Sequence, residues 1–331
     1  VSGLVKALWH ERNGEPRDVL QLIEHAPETP GPGEVVIRME AAAMHIADVR
    51  TVQGTLGLMK PLPRSPGYEG VGRIARVGAG VTRWKEGDRV FPPIGSGTFR
   101  EELRVPADAV LPGLEGDPAQ LAFLTVNPPT AHCLLEDFVS LAPGDWLVQN
   151  CANSNVGRYL IVLAKMKGVR TVNVVRREES AADLLALGAD VVLVDGPDLA
   201  KRVAAATGNA KILLGIDAIA GDGTQRIGTC LADGGRIVCY GAMSQHECRI
   251  DFYFMLFRDV SLCGFSTTRQ LQKRTPEQQR ELYAWLAGLI ANGTLEAKIA
   301  AEYDLAQGVE AFEHALRVGA DRPGKILMRC R

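Results

Sequence analysis

The stretch from Asp145 to Arg177, DWLVQNCANSNVGRYLIVLAKMKGVRTVNVVRR, gathers amide, hydroxyl and guanidinium groups at the spacing a phosphorylated ligand needs. Trp146–Gln149 is a short apolar run, and Asn150–Gly157 is a turn of small and amide residues. From Val156 the apolar positions Val156, Tyr159, Leu160, Leu163 and Ala164 recur at helical spacing, and Thr171–Val175 is a β-branched run that ends on Arg176 and Arg177. That order predicts a βαβ unit of the length a nucleotide-binding crossover requires. Its turn, with Asn153, Ser154, Asn155, Val156 and Gly157, would present backbone N–H groups at a helix start to a pyrophosphate. The end of the second strand would face the adenosine ribose. Two arginines there suit a 2′-phosphate, where an Asp or Glu would suit two hydroxyls. The segment therefore points to NADP(H) over NAD(H). Of the G-x-G-x-x-G pattern only the last glycine, Gly157, is present, and Cys151 or Ala152 and Asn153 or Ser154 stand at the earlier positions. An ordinary βαβ unit with no ligand remains the competing reading.

These groups need a scaffold, and 331 residues allow two domains with a sizeable core. With 46% apolar and 23% charged residues, a net charge of −2 and no basic tract, the composition fits a globular enzyme and argues against nucleic acid. The apolar runs are too short for a membrane span, and the first residues, VSGLVKALWHERNG, lack the features of a signal peptide. The seven cysteines, Cys133, Cys151, Cys230, Cys239, Cys248, Cys263 and Cys330, form no C-x-x-C pair. Most are expected to act as small core residues, in a reducing cytoplasm.

The first part reads as β-rich, with candidate strands at Leu4–Trp9, Glu34–Ala42, Gly70–Val77, Arg89–Phe91 and Thr98–Val105 between Gly- and Pro-rich turns. Short, closely spaced strands predict a partly open barrel. From about Pro118 helix and strand alternate. Ala119–Ser140 reads as helix interrupted at Asn127-Pro128-Pro129. Strands are expected at Trp146–Gln149, Thr171–Val175, Val191–Val194, Ile212–Asp217, Arg236–Tyr240 and Ser261–Gly264, with helices at 156–167, 179–187, 198–206 and 222–231. The alternation predicts a doubly wound parallel sheet. A long helix at about 275–292 and a β/α tail follow, and the tail is expected to return to the first domain. The expected division is 1–119, 120–265 and 266–331.

In this order of parts the chain resembles the medium-chain dehydrogenase/reductase superfamily over essentially its whole length. Gly67-Tyr68-Glu69-Gly70-Val71-Gly72, Gly87-Asp88-Arg89-Val90, Leu187-Gly188-Ala189-Asp190, Gly234-Gly235-Arg236 and Gly324-Lys325 carry the resemblance. Leu124–Ala131, Gln149–Gly157, Tyr240–Ser244 and Gly264-Phe265 resemble the 2-enoyl thioester reductase branch and quinone oxidoreductase-like proteins. The resemblance implies an α/β protein with a GroES-like domain and a Rossmann domain. It implies cofactor contacts from Asn127, Thr130, Tyr240, Gly241, Met243, Phe265 and Lys325, with Asn127 near the nicotinamide. Asn127 would equally serve as a turn residue before Pro128-Pro129. Homodimerisation through the edge strand Ser261–Gly264, beside the apolar run Phe252–Phe257, is also implied.

The zinc-dependent members of the superfamily need Cys or His ligands, and here only His45 and Glu69 are plausible, so no metal is expected. Without metal, such reductases pass hydride to a C=C bond conjugated to a carbonyl, and the enolate is then protonated. The branch usually carries a tyrosine after its Q-G-x. Here Leu56 follows Gln53-Gly54-Thr55, the run Leu56-Gly57-Leu58-Met59-Lys60 departs in type and spacing, and Ser266 replaces a common tryptophan. His45, Tyr68 or water would have to supply the proton. A packed ring with a satisfied hydroxyl competes for Tyr68. The expected activity is NADPH-dependent reduction of an α,β-unsaturated carbonyl compound, with an enoyl thioester first and a quinone or free enone second. The contrasting reading is a cofactor-binding protein without turnover that serves a structural or interaction role.

Overall fold

The computed structural model describes residues 3–56, 61–317 and 323–330. Residues 57–60, part of the run that follows Leu56, lie outside the described residues. The chain forms two compact units, one of residues 1–126 and 277–331, the other of 127–276. The changes fall after Val126 and Pro276, later than the expected 119 and 265.

The first unit is built on a mixed sheet. Its strands run in the order Ile299–Asp304, Lys325–Arg329, Glu34–Met44, Glu69–Val77, Arg89–Phe91 and Leu111–Pro112, and Glu102–Pro106 also pairs with Glu34–Met44. The tail does return to this unit, through the two strands at 299–304 and 325–329. Glu34–Met44 is the longest strand and its Val35, Ile37, Met39, Ala42 and Met44 enter a core shared with Phe99, Phe312 and Ile326. One expectation is corrected and one element is new. The strand foreseen at Thr98–Val105 is Glu102–Pro106, because Thr98 turns its hydroxyl to the Glu69 carbonyl at 3.0 Å. The strand Gln21–His25 was not foreseen, and its alternation is hidden because Gln21, Leu22 and Glu24 are all exposed.

The second unit is a six-stranded parallel sheet in the order Val191–Val194, Arg170–Val175, Trp146–Gln149, Ile212–Asp217, Arg236–Cys239 and Ser261–Gly264. Numbered along the chain this is 3-2-1-4-5-6, the doubly wound order whose strand direction of travel reverses between the first and fourth strands. The crossover helix Asn155–Lys167 buries Val156, Tyr159, Leu160, Leu163 and Ala164, the face that the periodicity marked. Two further corrections fall here, and one unassigned run gains a structure. Asn127-Pro128-Pro129 does not interrupt a helix but opens one, Asn127–Glu136, since prolines in a first turn sacrifice no helical hydrogen bond. Tyr240 lies just past its strand, which ends at Cys239. The apolar run Phe252–Phe257 is part of a helix, Phe252–Arg258, capped by Asp251. Of the cysteines, only Cys133 and Cys330 are buried, so most are not core residues.

Candidate functional site

In the first unit, strand register brings three ionisable side chains together. Met44 pairs with Ile326 in antiparallel register, so His45 and Lys325 face each other one step further on. Ala43 pairs with Glu69 on the other side. The result is a chain of contacts. His45 Nε2 lies 2.6 Å from Glu69 Oε1, and Lys325 Nζ lies 3.3 Å from His45 Nδ1. Glu69 is fully buried, and its other oxygen accepts from the Thr125 hydroxyl at 2.9 Å and the Val126 amide at 2.8 Å. Burial, and then the Lys325 ammonium, hold the His45 imidazole below its ordinary pKa, against the pull of Glu69. Neutral His45 therefore donates from Nε2 to Glu69 and accepts at Nδ1 from Lys325.

The helix Ile46–Gln53 starts at His45 and fixes this imidazole. Asp48 accepts from the His45 backbone N–H at 2.7 Å, and Gly54 ends the helix at φ 76°. Asp48 is itself buried, and desolvation raises its carboxyl to about 7. The folded pKa exceeds the unfolded one, so this group's stabilisation is lost as pH rises from about 4 towards 7. Asp48→Asn keeps an acceptor and removes the titration. We expect its Tm to gain on the wild type by several degrees more at pH 8 than at pH 5. A Tm difference independent of pH would contradict the raised carboxyl. Tyr68 is only half-buried, and its hydroxyl sits 3.4 Å from that of Thr51, a long contact that fits the packed-ring reading.

In the second unit the first turn is shaped for close approach. Ser154 caps the Asn155–Lys167 helix by accepting from the Gly157 N–H at 3.1 Å. A Cβ on Gly157 would lie 2.5 Å from the Ala152 carbonyl, so this position admits only glycine. Cys151 adopts φ 51°, a left-handed conformation that the missing earlier glycine would take without strain. Asn150 ties the two switch-point strands together, donating to Asp217 at 2.6 Å and accepting from the Ala218 N–H at 2.8 Å. Gln149 donates to the Gly157 carbonyl and to Asn173 Oδ1. Arg176 and Arg177 follow the strand Arg170–Val175, are exposed, and make no ion pair among the described residues.

The remaining candidates of this unit are distributed as follows. Asn153 is exposed and its amide reaches the Ser180 hydroxyl at 3.4 Å. Tyr240 is half-buried with its hydroxyl enclosed, and that desolvation raises the hydroxyl above its ordinary value, with Cys151 and Ser154 beside it. Gly241 packs against Ala218, Met243 is 44% exposed, and Phe265 stacks at a tilt on Phe138, 6.1 Å between centroids. The Thr130 hydroxyl meets that of Thr267 at 2.7 Å. Nδ2 of Asn127 and Nδ2 of Asn155 are buried donors with no hydrogen-bond partner. Such donors cost about 1–3 kcal/mol each unless a ligand supplies acceptors, which suits a dinucleotide's carboxamide and phosphate oxygens. Ser266, in place of the usual tryptophan, caps the short helix Thr267–Gln272, which sequence reasoning missed. Its signal was the hydroxyl run Ser266-Thr267-Thr268.

Sequence reasoning also left Asp48 unmentioned and weighed Glu69 only as a metal ligand. Their signal was an acid between apolar or glycine positions, in Glu69-Gly70-Val71-Gly72 and Ile46-Ala47-Asp48-Val49. His45 and Tyr68 belong to the first unit and Asn127 to the second.

Two parts of the chain match family models. Residues 31–115 match the alcohol dehydrogenase GroES-like domain, and residues 155–287 match zinc-binding dehydrogenase. A GroES-like unit and a 3-2-1-4-5-6 sheet together define the class as a dehydrogenase or reductase of the two-part type. The mitochondrial enoyl-(acyl-carrier-protein) reductase of Arabidopsis thaliana is 34% identical over 299 residues, covering 88% of this chain and 80% of that protein. A Bacillus thuringiensis structure described as an NADPH:quinone reductase superposes with a TM-score of 0.90 at 27% identity, over 98% of this chain and 99% of that one. Etr1p, solved with NADP and crotonyl-CoA, has a TM-score of 0.87 at 23% identity with the same coverage, a likeness of fold. The chain belongs to the medium-chain dehydrogenase/reductase superfamily, and within it to the enoyl reductase family.

Proposed function

We propose that the protein is an NADPH-dependent reductase of the C=C bond of an α,β-unsaturated thioester. The observation that carries this reading is the chain from buried Glu69 and His45 to half-buried Lys325, an acid–base array within a fold whose other unit carries a dinucleotide turn. NADPH, when bound, supplies the hydride. The turn from Asn153 to Gly157 would hold its pyrophosphate, and Arg176 and Arg177 its 2′-phosphate. Asn127 and Thr130 would serve the nicotinamide end, with Tyr240, Gly241, Met243 and Phe265 as walls. Lys325, expected from resemblance at the cofactor, takes a different part in this proposal. Its ammonium polarises the substrate carbonyl and delivers the proton that the enolate needs. His45 positions that ammonium, and Glu69 holds the imidazole. This array stands in for the tyrosine that Leu56 replaces. Following NADPH consumption at 340 nm with crotonyl-CoA, an enone and a quinone tests the reading. Turnover of crotonyl-CoA supports it, and inertness towards all three supports a cofactor-binding protein without turnover.

A quinone acceptor is the second reading. Leucine at position 56 cannot donate a hydrogen bond to a thioester, and a relative of 27% identity is described as a quinone reductase. Faster turnover of the quinone than of crotonyl-CoA would favour it.

The reading includes independence from zinc. Both nitrogens of His45 are engaged, one by Glu69 and the other by an ammonium that would repel a cation. We expect exhaustive treatment with a chelator to leave turnover unchanged. Stoichiometric zinc lost together with activity would overturn this.

It also includes a homodimer and a cytoplasmic setting. Ser261–Gly264 is the edge strand of the parallel sheet, and the adjacent helix exposes Phe252, Tyr253, Met255, Leu256 and Phe257 by 51–71%. A second copy is the occupant that would continue the sheet and cover that face. Light scattering at micromolar concentration should give twice 35.7 kDa, and a monomeric mass would refute the dimer. The seven cysteines are free thiols, with no C-x-x-C pair among them. No described helix is long and apolar enough to cross a membrane.

A further inference from the structure

We propose that Cys239 and Cys248 form a reversible disulfide that regulates the nucleotide site of the second unit. Their sulfurs lie 3.4 Å apart, with Cys248 at the exposed surface and Cys239 half-buried beneath it. The pair brackets a loop that contains Tyr240, Gly241 and Met243. That loop is held in place from both sides. The Met243 and Ser244 amides donate to Ala218 and Ile219 at 3.1 and 2.9 Å, and the Gly221 amide donates to Glu247 at 3.0 Å. The sulfurs therefore meet in the folded chain without any large movement. Closing the bond to about 2.0 Å draws them together by roughly 1.4 Å. The Cys239 thiol, which donates to the Gly241 carbonyl at 3.2 Å, loses that contact. The loop must shift at the residues proposed as cofactor walls.

The same pair is also part of a three-residue cluster. Among the described residues, Asp217, Cys239 and Cys248 bring potential metal ligand atoms within 4.8 Å of one another. The carboxylate is committed elsewhere. Asp217 Oδ1 accepts from Asn150, Ile219 and Ala220, and Oδ2 from Thr224 at 2.5 Å. A metal would have to break this set, whereas a disulfide leaves it intact. Burial raises the Cys239 thiol pKa, with Asp217 and Cys248 adding to the effect, so Cys239 is not the first thiol to react.

The oxidant is a peroxide. The exposed Cys248 thiolate attacks one peroxide oxygen; an S–O bond forms, the O–O bond breaks, and the leaving oxygen departs as water after taking a proton. Cys239 then attacks the sulfenyl sulfur of Cys248; the S–S bond forms, the S–O bond breaks, and a second water leaves with the Cys239 proton. The two thiols lose two electrons in total and the peroxide gains them. A dithiol reverses the step by exchange.

The effect on the cofactor rests on the NADPH reading above, and the disulfide does not. The whole protein is treated with hydrogen peroxide, its remaining thiols are alkylated, and its peptides are mapped by mass spectrometry. NADPH affinity is measured by fluorescence before oxidation, after it, and after dithiothreitol. We expect a 239–248 cross-linked peptide, NADPH binding weakened at least fivefold, and recovery on reduction. Cys248→Ser should bind NADPH like the reduced wild type and resist the loss. Absence of the cross-link, or a different cysteine pairing, overturns the site. An oxidised protein that holds NADPH as tightly as the reduced one overturns the regulation. Cross-linking in a protein whose reduced form binds no NADPH refutes the functional reading and leaves the site standing.

Discussion

Replacing His45 with alanine is expected to lower kcat on an enoyl thioester by about 10²–10⁴-fold, with a much smaller change in KM. The imidazole makes two contacts at once, to Glu69 at 2.6 Å and to Lys325 at 3.3 Å. Its loss takes one acceptor from the ammonium and one donor from the carboxylate. The fold should survive, because Glu69 keeps the Thr125 hydroxyl and the Val126 amide. His45→Asn is the informative companion. An amide can still donate to Glu69, so stability should be retained, and any recovered rate measures how much of the role is positioning. Lys325→Ala should match His45→Ala if the two act as a unit, since effects within one network do not add. Unchanged kcat in both alanine variants would remove the acid–base array from the mechanism.

Replacing Arg176 with alanine is expected to weaken NADPH binding by about ten- to a hundredfold while changing NADH binding little. A guanidinium and a phosphate form charge-assisted hydrogen bonds worth about 1.5–3 kcal/mol. Both arginines are exposed and lack ion-pair partners among the described residues, so neither must abandon a protein contact to take a ligand. The wild type should accordingly prefer NADPH by a similar factor. Glu178 and Glu179 follow immediately in a single 3₁₀ turn and would repel a misplaced phosphate, which sharpens the geometry demanded of the pair. Titration calorimetry of both cofactors against both proteins decides the matter. Equal affinity of the wild type for the two would dismiss the arginine pair as the specificity element.

The second unit was the more legible part of the sequence. Its strands are short apolar blocks separated by amphipathic helices, and a parallel sheet buried on both faces leaves that signature directly in the chain. Trp146–Gln149, Val191–Val194, Ile212–Asp217 and Ser261–Gly264 have the bounds expected of them. Helices failed where apolar content carried no period. Phe252–Arg258 is apolar nearly all round and exposed, so the sequence marked it only as an apolar run. In the first unit the short strand Gln21–His25 is largely exposed and gave no inward-outward alternation. The candidate site divides in the same way. The turn residues Ser154 and Gly157 could be found locally, because a cap and a close approach are properties of neighbours in sequence. The link from His45 to Lys325 could not, because it depends on antiparallel register between strands that no local pattern encodes.

That register has a consequence for the life of the chain before it works. His45 and Lys325 are 280 positions apart. A ribosome that has already released His45, Glu69 and the complete nucleotide turn has made every other part of the array, yet the imidazole has no ammonium beside it. Domains form as units during synthesis at about 5–20 residues per second. The second unit can therefore fold, and engage a dinucleotide, some seconds before the Lys325–Arg329 strand is available to finish the first. On the role proposed for Lys325, the acid–base array is completed only after the nucleotide turn has been made. On the same proposal, a product truncated before that strand would hold cofactor without the ammonium that the reaction uses.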